Sequence, residues 1–415
     1  MSRAAIDFSG HLLVAIDVAK FSHEVLLRWP AGKTQRMRIP ATYAGISGLI
    51  EILQSSQLPV LAALEPTGDY HRLIAFHLIQ AGVSVQQVSS LAAARLREAM
   101  HNSWDKNDKK DARVILEMMV RGMTQIYHDP LVHDNFDVQE LSNTYLQITL
   151  ARTRAMHSLL GHYLPLYFPE MERFFNASRS EWFFKFLLAF PVPSAIASMS
   201  LPAFTAAAWD VIGRKVAKER FLAELHETAL TSIGLPVAVD SVAVQSYRLQ
   251  LSRLLDLTIQ RSALEVQAEA LLTDNAQYRL LRTLPGVGPI IALIIISESG
   301  DLRRFSHHRQ YLHFCGFNLA SSQSGNSQSG HRISKRGNKR LRYAYWLAAT
   351  VAVRQRENTF RRKFEAYLRT QSDTPDTRRK GVIAVAAKLA RVAHALIKQG
   401  QNYRGYHEAT ILTTG

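Results

Sequence analysis

The sequence predicts an α/β domain at the N-terminus, then a long helical region, then a mostly helical C-terminal third. Three observations carry that division. Short apolar runs separated by turn residues crowd residues 1–130. Strand signals then fade, and from about 136 to 275 apolar residues recur at helical spacing. The last third opens on Leu284-Pro285-Gly286-Val287-Gly288-Pro289 and carries helical patterning again. The expected domains are 1–130, 131–275 and 276–415.

Residues 12–16 form an apolar strand, and 24–29 and 34–39 follow it with Pro30 and Gly32 between them. Three strands so closely joined predict an antiparallel meander. A helix over 43–54, a strand over 60–64, a helix over 70–80 and a strand over 83–88 come next. Residues 108–121 read as a helix with Ala112, Ile115, Leu116 and Met119 on one face. In the middle region Leu141, Tyr145, Ile148 and Leu159 repeat at helical spacing, as do Val244, Tyr247, Leu251, Leu254 and Thr258. They predict two long helices able to pair as a coiled-coil arm, interrupted by a proline-punctuated insert over 165–236.

The 415 residues are 47% hydrophobic and 20% charged, as in an ordinary folded chain. Fifty Lys and Arg against 34 Asp and Glu leave a net charge of +16, which favours a polyanionic partner, nucleic acid first. The single cysteine, Cys315, excludes an internal disulfide and a cysteine-rich zinc site, and fits a reducing cytoplasm. No apolar run is long enough to span a bilayer, and residues 1–13 lack the pattern of a signal peptide.

Four carboxylates stand out. Asp17 ends the first strand and Glu65 ends the fourth, while Asp108 and Asp111 lie three apart on one helix face. Strand ends and a helix face can converge, and hard oxygen ligands gathered there suit Mg²⁺ for phosphoryl transfer. Each acid alone reads as readily as a turn former or a cap. Together, on a meander–helix–strand scaffold, they have the layout of the RNase H/RuvC-like nuclease fold. Asp105 in the same stretch reads as a cap or loop residue, and Lys106, Lys109 and Lys110 are candidate phosphate contacts.

Two further segments point to nucleic acid. Gly286 and Gly288, ahead of an apolar helix, resemble a helix-hairpin-helix grip in which backbone amides meet phosphate; an ordinary tight turn fits them equally. From 302 to 356 there is no Asp or Glu, but there are 11 Lys or Arg. Within that run a Ser/Gly-rich stretch, 321–330, precedes Arg332, Lys335, Arg336, Lys339, Arg340 and Arg342. The bland reading is a flexible loop before a basic helix. The functional one is a serine nucleophile beside cations that bind the scissile phosphate. Composition does not choose among Ser322, Ser324 and Ser327. A lobe without acids would have to borrow its metal from the carboxylates elsewhere.

These pieces, in this order, resemble the DEDD transposases of the insertion-sequence one-ten family, RuvC-like serine recombinases. The resemblance rests on Ala15-Ile16-Asp17-Val18-Ala19-Lys20, Leu64-Glu65-Pro66-Thr67-Gly68 and Lys106 to Ala112. Further on it rests on Leu284 to Pro289, Gly316 to Gly325, and Ile333-Ser334-Lys335-Arg336-Gly337-Asn338 with Leu341-Arg342. The family usually has a proline where this chain has Leu319, and more basic residues where it has 326–329. The resemblance implies that Asp17, Glu65, Asp108 and Asp111 are the catalytic acids and that Ser324 is the nucleophile joined to DNA. It also implies a composite site shared between protomers of a dimer or tetramer, and a structured guide RNA. The alternative is a RuvC-like hydrolytic nuclease, such as a junction resolvase, in which water attacks. A third reading is a non-catalytic nucleic-acid scaffold.

Overall fold

A computed structural model describes residues 10–101, 108–129, 136–176, 180–213, 217–320, 323–324, 327–328, 332–356 and 358–405. The chain forms two compact units, Met1–Phe136 and Asp137–Gly415.

The first unit is a six-stranded mixed sheet with helices on both faces. β1 (Leu12–Val18), β2 (Ser22–Arg28) and β3 (Thr34–Pro40) make the expected meander. Helix α1 (Tyr43–Ser55) leads to β4 (Val60–Leu64), α2 (Tyr70–Gln80) to β5 (Ser84–Gln87), then α3 (Ser90–His101), α4 (Asp108–Val120) and β6 (Gln125–Ile126) follow. The sheet order is β3-β2-β1-β4-β5-β6. The β1–β4 and β4–β5 pairs are parallel and the others antiparallel.

Alternation along β1 sends side chains to two separate cores. Leu12, Val14, Ile16 and Val18 pack with Ile46, Leu49 and Leu53 of α1 and Ile74 and Leu78 of α2. Leu13 and Ala15 pack on the other face with Ala93 of α3 and Ala112, Ile115 and Met119 of α4. Ala112, Val114, Met118 and Met119 are fully buried. At about 1.5–3 kcal/mol for each large apolar side chain, this burial is what fixes α4 on the sheet.

The second unit holds two apolar cores. One joins the end of α5 (Phe136–Ser158) to the insert helices α6 (Leu164–Tyr167), α7 (Ser180–Ala189), α8 (Pro193–Ala197), α9 (Leu201–Ala208) and α10 (Lys218–Leu230), and to the start of α11 (Val242–Leu272). The expected pairing stripe of α11 lies inside it: Val244, Tyr247, Leu251 and Leu254 are buried, the last three against the insert's Phe-rich core. Further along, α5 and α11 run antiparallel through polar links, Arg152 donating to Thr258 and Arg261 to the Tyr145 hydroxyl. The apolar repeat of α11 therefore serves the insert of its own chain.

The other core is built by α12 (Ala276–Arg282), α13 (Pro289–Ser299), α14 (His308–Cys315), α15 (Lys339–Ala352), α16 (Thr359–Arg369) and α17 (Pro375–Gln399). Between α14 and α15 the chain forms two short ladders, β7 (Leu319–Ala320) with β10 (Arg332–Ile333) and β8 (Gln323–Ser324) with β9 (Ser327–Gln328). No helix among the described residues is long and apolar enough to cross a membrane.

Candidate active site

The register of the sheet places the acids. β1 and β4 pair in parallel with Ile16 opposite Leu64, so the next step brings Asp17 level with Glu65. Both residues share the parity of Ala15 and Ala63, which face α3 and α4. Asp111 stands on α4 beside the buried Ala112 and is itself only 2% exposed. Three of the four expected acids thus belong to one face of the sheet. The fourth, Asp108, begins α4, and the structure describes its backbone only. Lys109 and Lys110 share that first turn, again as backbone, while Lys106 and Asp105 lie outside the described residues.

Two neighbours of these acids carry no signal in the sequence. Glu24 is the antiparallel partner of Asp17 and shares its face; Arg38 of β3 stands 3.6 Å away. Arg97 of α3 brings its Nε to 2.5 Å from Oδ1 of Asp111. Register reveals Glu24 only once the pairing is known, and Arg97 is found only through helix packing. His23, next along β2, is buried, and burial lowers its pKa below the usual 6.5.

The chemistry of this face fits a hard divalent cation. Its donors are carboxylate oxygens, and Asp111 Oδ1 is shut off from solvent with no hydrogen-bond donor aligned on it. Among the described residues no three acidic, His or Cys side chains are close enough to hold an ion. Asp111 faces a guanidinium instead.

The serine segment is built differently. Ser324 lies in β8 and pairs with Ser327 of β9, so two of the three serine candidates are register partners. Ser322 lies outside the described residues. The base of this ribbon is clamped. Ser334 N–H donates to the Asn318 carbonyl at 2.8 Å, Ser334 Oγ donates to Asn318 Oδ1 at 2.6 Å, and Asn338 N–H donates to the Phe314 carbonyl at 2.7 Å. Gly337 has φ +138°, and a Cβ there would stand 2.5 Å from the Phe314 carbonyl oxygen. A glycine is required because two chain segments cross there. Arg342 donates to the carbonyls of Cys315 and Lys335, and Lys335 holds a left-handed φ of 55°.

The expected cations divide into two groups. Lys335, Arg336 and Lys339 are exposed, and Arg332 is described as backbone in β10. Arg340 is tied into the fold: it pairs with Glu298 at 2.7 Å and donates to Asn143 Oδ1 and to the carbonyl and hydroxyl of Ser142. Glu298, from α13, also accepts from Asn338 Nδ2 at 2.6 Å. The run without acids in sequence therefore has an acid in space, though a neutralised one.

Gly286 and Gly288 occupy the turn between α12 and α13. Gly286 has φ +82°, and a Cβ there would collide with the Ala348 carbonyl of α15. Its smallness thus serves packing inside the protein. Gly288 caps α13 and has open space around it. Cys315 is free and buried, and burial pushes its thiol pKa far up, which leaves it inert.

Two family models match this chain. Residues 14–169 match the DEDD transposase model of IS110, and residues 278–365 match the IS116/IS110/IS902 transposase family. The chain belongs to the IS110 family of DEDD transposases. The first match covers the carboxylate face and the second covers α12 through the serine ribbon to α16. Among IS110-family relatives, an uncharacterized 43.6 kDa protein of insertion element IS110 from Streptomyces coelicolor is 22% identical over 94% of this chain and 95% of its own length. A Pseudomonas aeruginosa protein named as a probable family 20 transposase is 32% identical over 34% of this chain, a match that spans 41% of that protein. The transposase for insertion sequence element IS1111A from Coxiella burnetii is 29% identical over 34% of this chain and 38% of its own length.

Proposed function

We propose that this chain is a DNA transposase that cuts and rejoins strands through a covalent phosphoserine. The observation that carries the reading is the register of β1 and β4, which sets Asp17 and Glu65 side by side on the face that α4 covers with Asp111. That is a RuvC-like arrangement of acids, and it belongs to a transposase family.

Asp17, Glu65, Asp108 and Asp111 would hold Mg²⁺, which when bound would supply charge stabilisation at the scissile phosphate. Ser324 is the nucleophile. Its Oγ attacks phosphorus, a Ser–O–P bond forms, one backbone P–O bond breaks, and the serine's proton ends on the departing deoxyribose oxygen. Arg332, Lys335, Arg336 and Lys339 offset the phosphate charge, while Arg340 and Arg342 shape the segment that presents them. Gly288 at the start of α13 adds a phosphate contact of the helix-hairpin-helix kind, and Lys106, Lys109 and Lys110, beside the acids of the first unit, are separate phosphate contacts.

A structured guide RNA and a homo-oligomer, dimer or tetramer, complete the reading. The strongly basic chain suits both nucleic acids. On α11, Val242, Leu249, Ile259 and Val266 are apolar and exposed, which leaves surface for a second copy. The serine ribbon of one protomer then works with the carboxylates of another.

The test is trapping. Denatured wild-type protein incubated with element-end DNA should carry covalent DNA at Ser324, and Ser324→Ala should carry none. Free DNA ends with no adduct would favour the hydrolytic nuclease instead.

A further inference from the structure

Asp111 is paired with a cation of the protein's own. Arg97 Nε stands 2.5 Å from its Oδ1, with the side chains 16% and 2% exposed. Both atoms are shut off from solvent, yet neither has a hydrogen bond of acceptable geometry. The Nε–H of Arg97 therefore does not point at that oxygen, and at these two atoms the contact is one of charge. A contact of this kind offsets the cost of burying a carboxylate but leaves Oδ1 without a donor. Arg97 is also the more exposed member of the pair.

We propose that Arg97 is a displaceable counter-cation. It neutralises Asp111 in the metal-free protein and lets go when a divalent cation occupies the carboxylate face, which frees the guanidinium for a nucleic-acid phosphate. This rests on the metal-binding reading of Asp17, Glu65 and Asp111. Arg38, the cation on β3, stands by Glu24 and not by Asp111. Metal and guanidinium compete for one carboxylate, so the metal site is weakened until something else engages Arg97. By reciprocity a phosphate that holds Arg97 raises metal affinity. Arg97 is in this sense a positioning residue that couples metal loading to the arrival of nucleic acid.

Titration calorimetry with Mn²⁺ on the full chain, without nucleic acid, tests this. Arg97→Gln is expected to bind Mn²⁺ about tenfold tighter than wild type, within the usual range of coupling between two ligands. Arg97→Lys, which keeps the competing charge, should stay near wild type. Unchanged or weaker binding by Arg97→Gln overturns the proposal. Should that variant fail to fold, the wild-type chain answers: the Nε–Hε NMR signal of Arg97, assigned by its loss in Arg97→Lys, is expected to move as Mg²⁺ saturates. A signal that stays in place while Mg²⁺ binds overturns the proposal. Absence of metal binding by every form would sink the metal reading itself, and this inference with it.

Discussion

The carboxylate face and the serine ribbon are built on opposite principles. Asp17 lies near the end of β1 and Glu65 directly after β4, beside the fully buried Ile16, Ala63 and Leu64, so the acids' places are fixed by the same packing that folds the unit. Ser324 sits on a ladder of two-residue strands, held at its base by a handful of hydrogen bonds and one glycine crossing. Acids that must keep a mutual geometry are stationed on a core. On the proposed mechanism the serine that would carry DNA stands instead on a short ladder. Damage to the first region should therefore appear in folding or in chemistry alone, and damage to the base of the second in chemistry with modest loss of stability.

The largest expected effects remove chemistry without touching the fold. Asp17→Asn should lower strand cutting at least a hundredfold, about the loss seen when one preorganised electrostatic group is removed, with an unchanged or raised melting temperature. Strand-cutting assays beside thermal melts check it, and a collapse of the melt would mean that the acid is structural. Next comes the crossing. Gly337→Ala should cost about 2–3 kcal/mol through backbone collision and a conformation that alanine resists. Cutting should fall further than stability does, since the ribbon shifts before the core melts. If cutting survives intact, the clamp does not position the serine.

Glu298→Ala is a smaller perturbation. It strips Arg340 and Asn338 of their shared acceptor, while Arg340 keeps Ser142 and Asn143. A loss of about 1–3 kcal/mol in chemical denaturation is expected. The mildest effect is one of pH. His23 is held neutral by burial, so its folded pKa lies below the unfolded 6.5. The unfolded chain then binds more protons as pH falls below 6.5, and the stability of the first unit should decline from there downward. A His23→Gln variant should lose that slope, and an identical pH profile for both would remove His23 as its source.

Most of the first unit was legible because its strands are short apolar runs between turn residues and its helices have one apolar face. The β4 strand and α2 have the bounds that the pattern predicts, and β1, β2, β3, β5, α1 and α4 differ by a residue or two at their ends. Helix α3 is absent from the sequence reading: among its described residues only Ala93 is fully buried, while Ala92, Leu96 and Met100 pack on the same core half-exposed, too mixed a face to stand out as apolar. The two residues of β6 are too few to alternate. The repeat in α11 was visible, but its partner was not, because periodicity says that a face is buried and not what buries it. The same limit hid Glu24 and Arg97. Both matter through register or packing with residues distant in sequence. It also concealed the reason for Gly286, which is the backbone of α15, 62 residues further on.

On the proposed mechanism the carboxylates and the serine take part in one reaction and come from different copies of the chain. Mixing two inactive variants, Asp17→Asn and Ser324→Ala, measures it most directly. In a mixed oligomer one site regains both an intact acid set and an intact serine, so strand exchange and the covalent adduct should return, with the adduct on the Asp17→Asn chain. A mixture as inert as either variant alone would contradict the account.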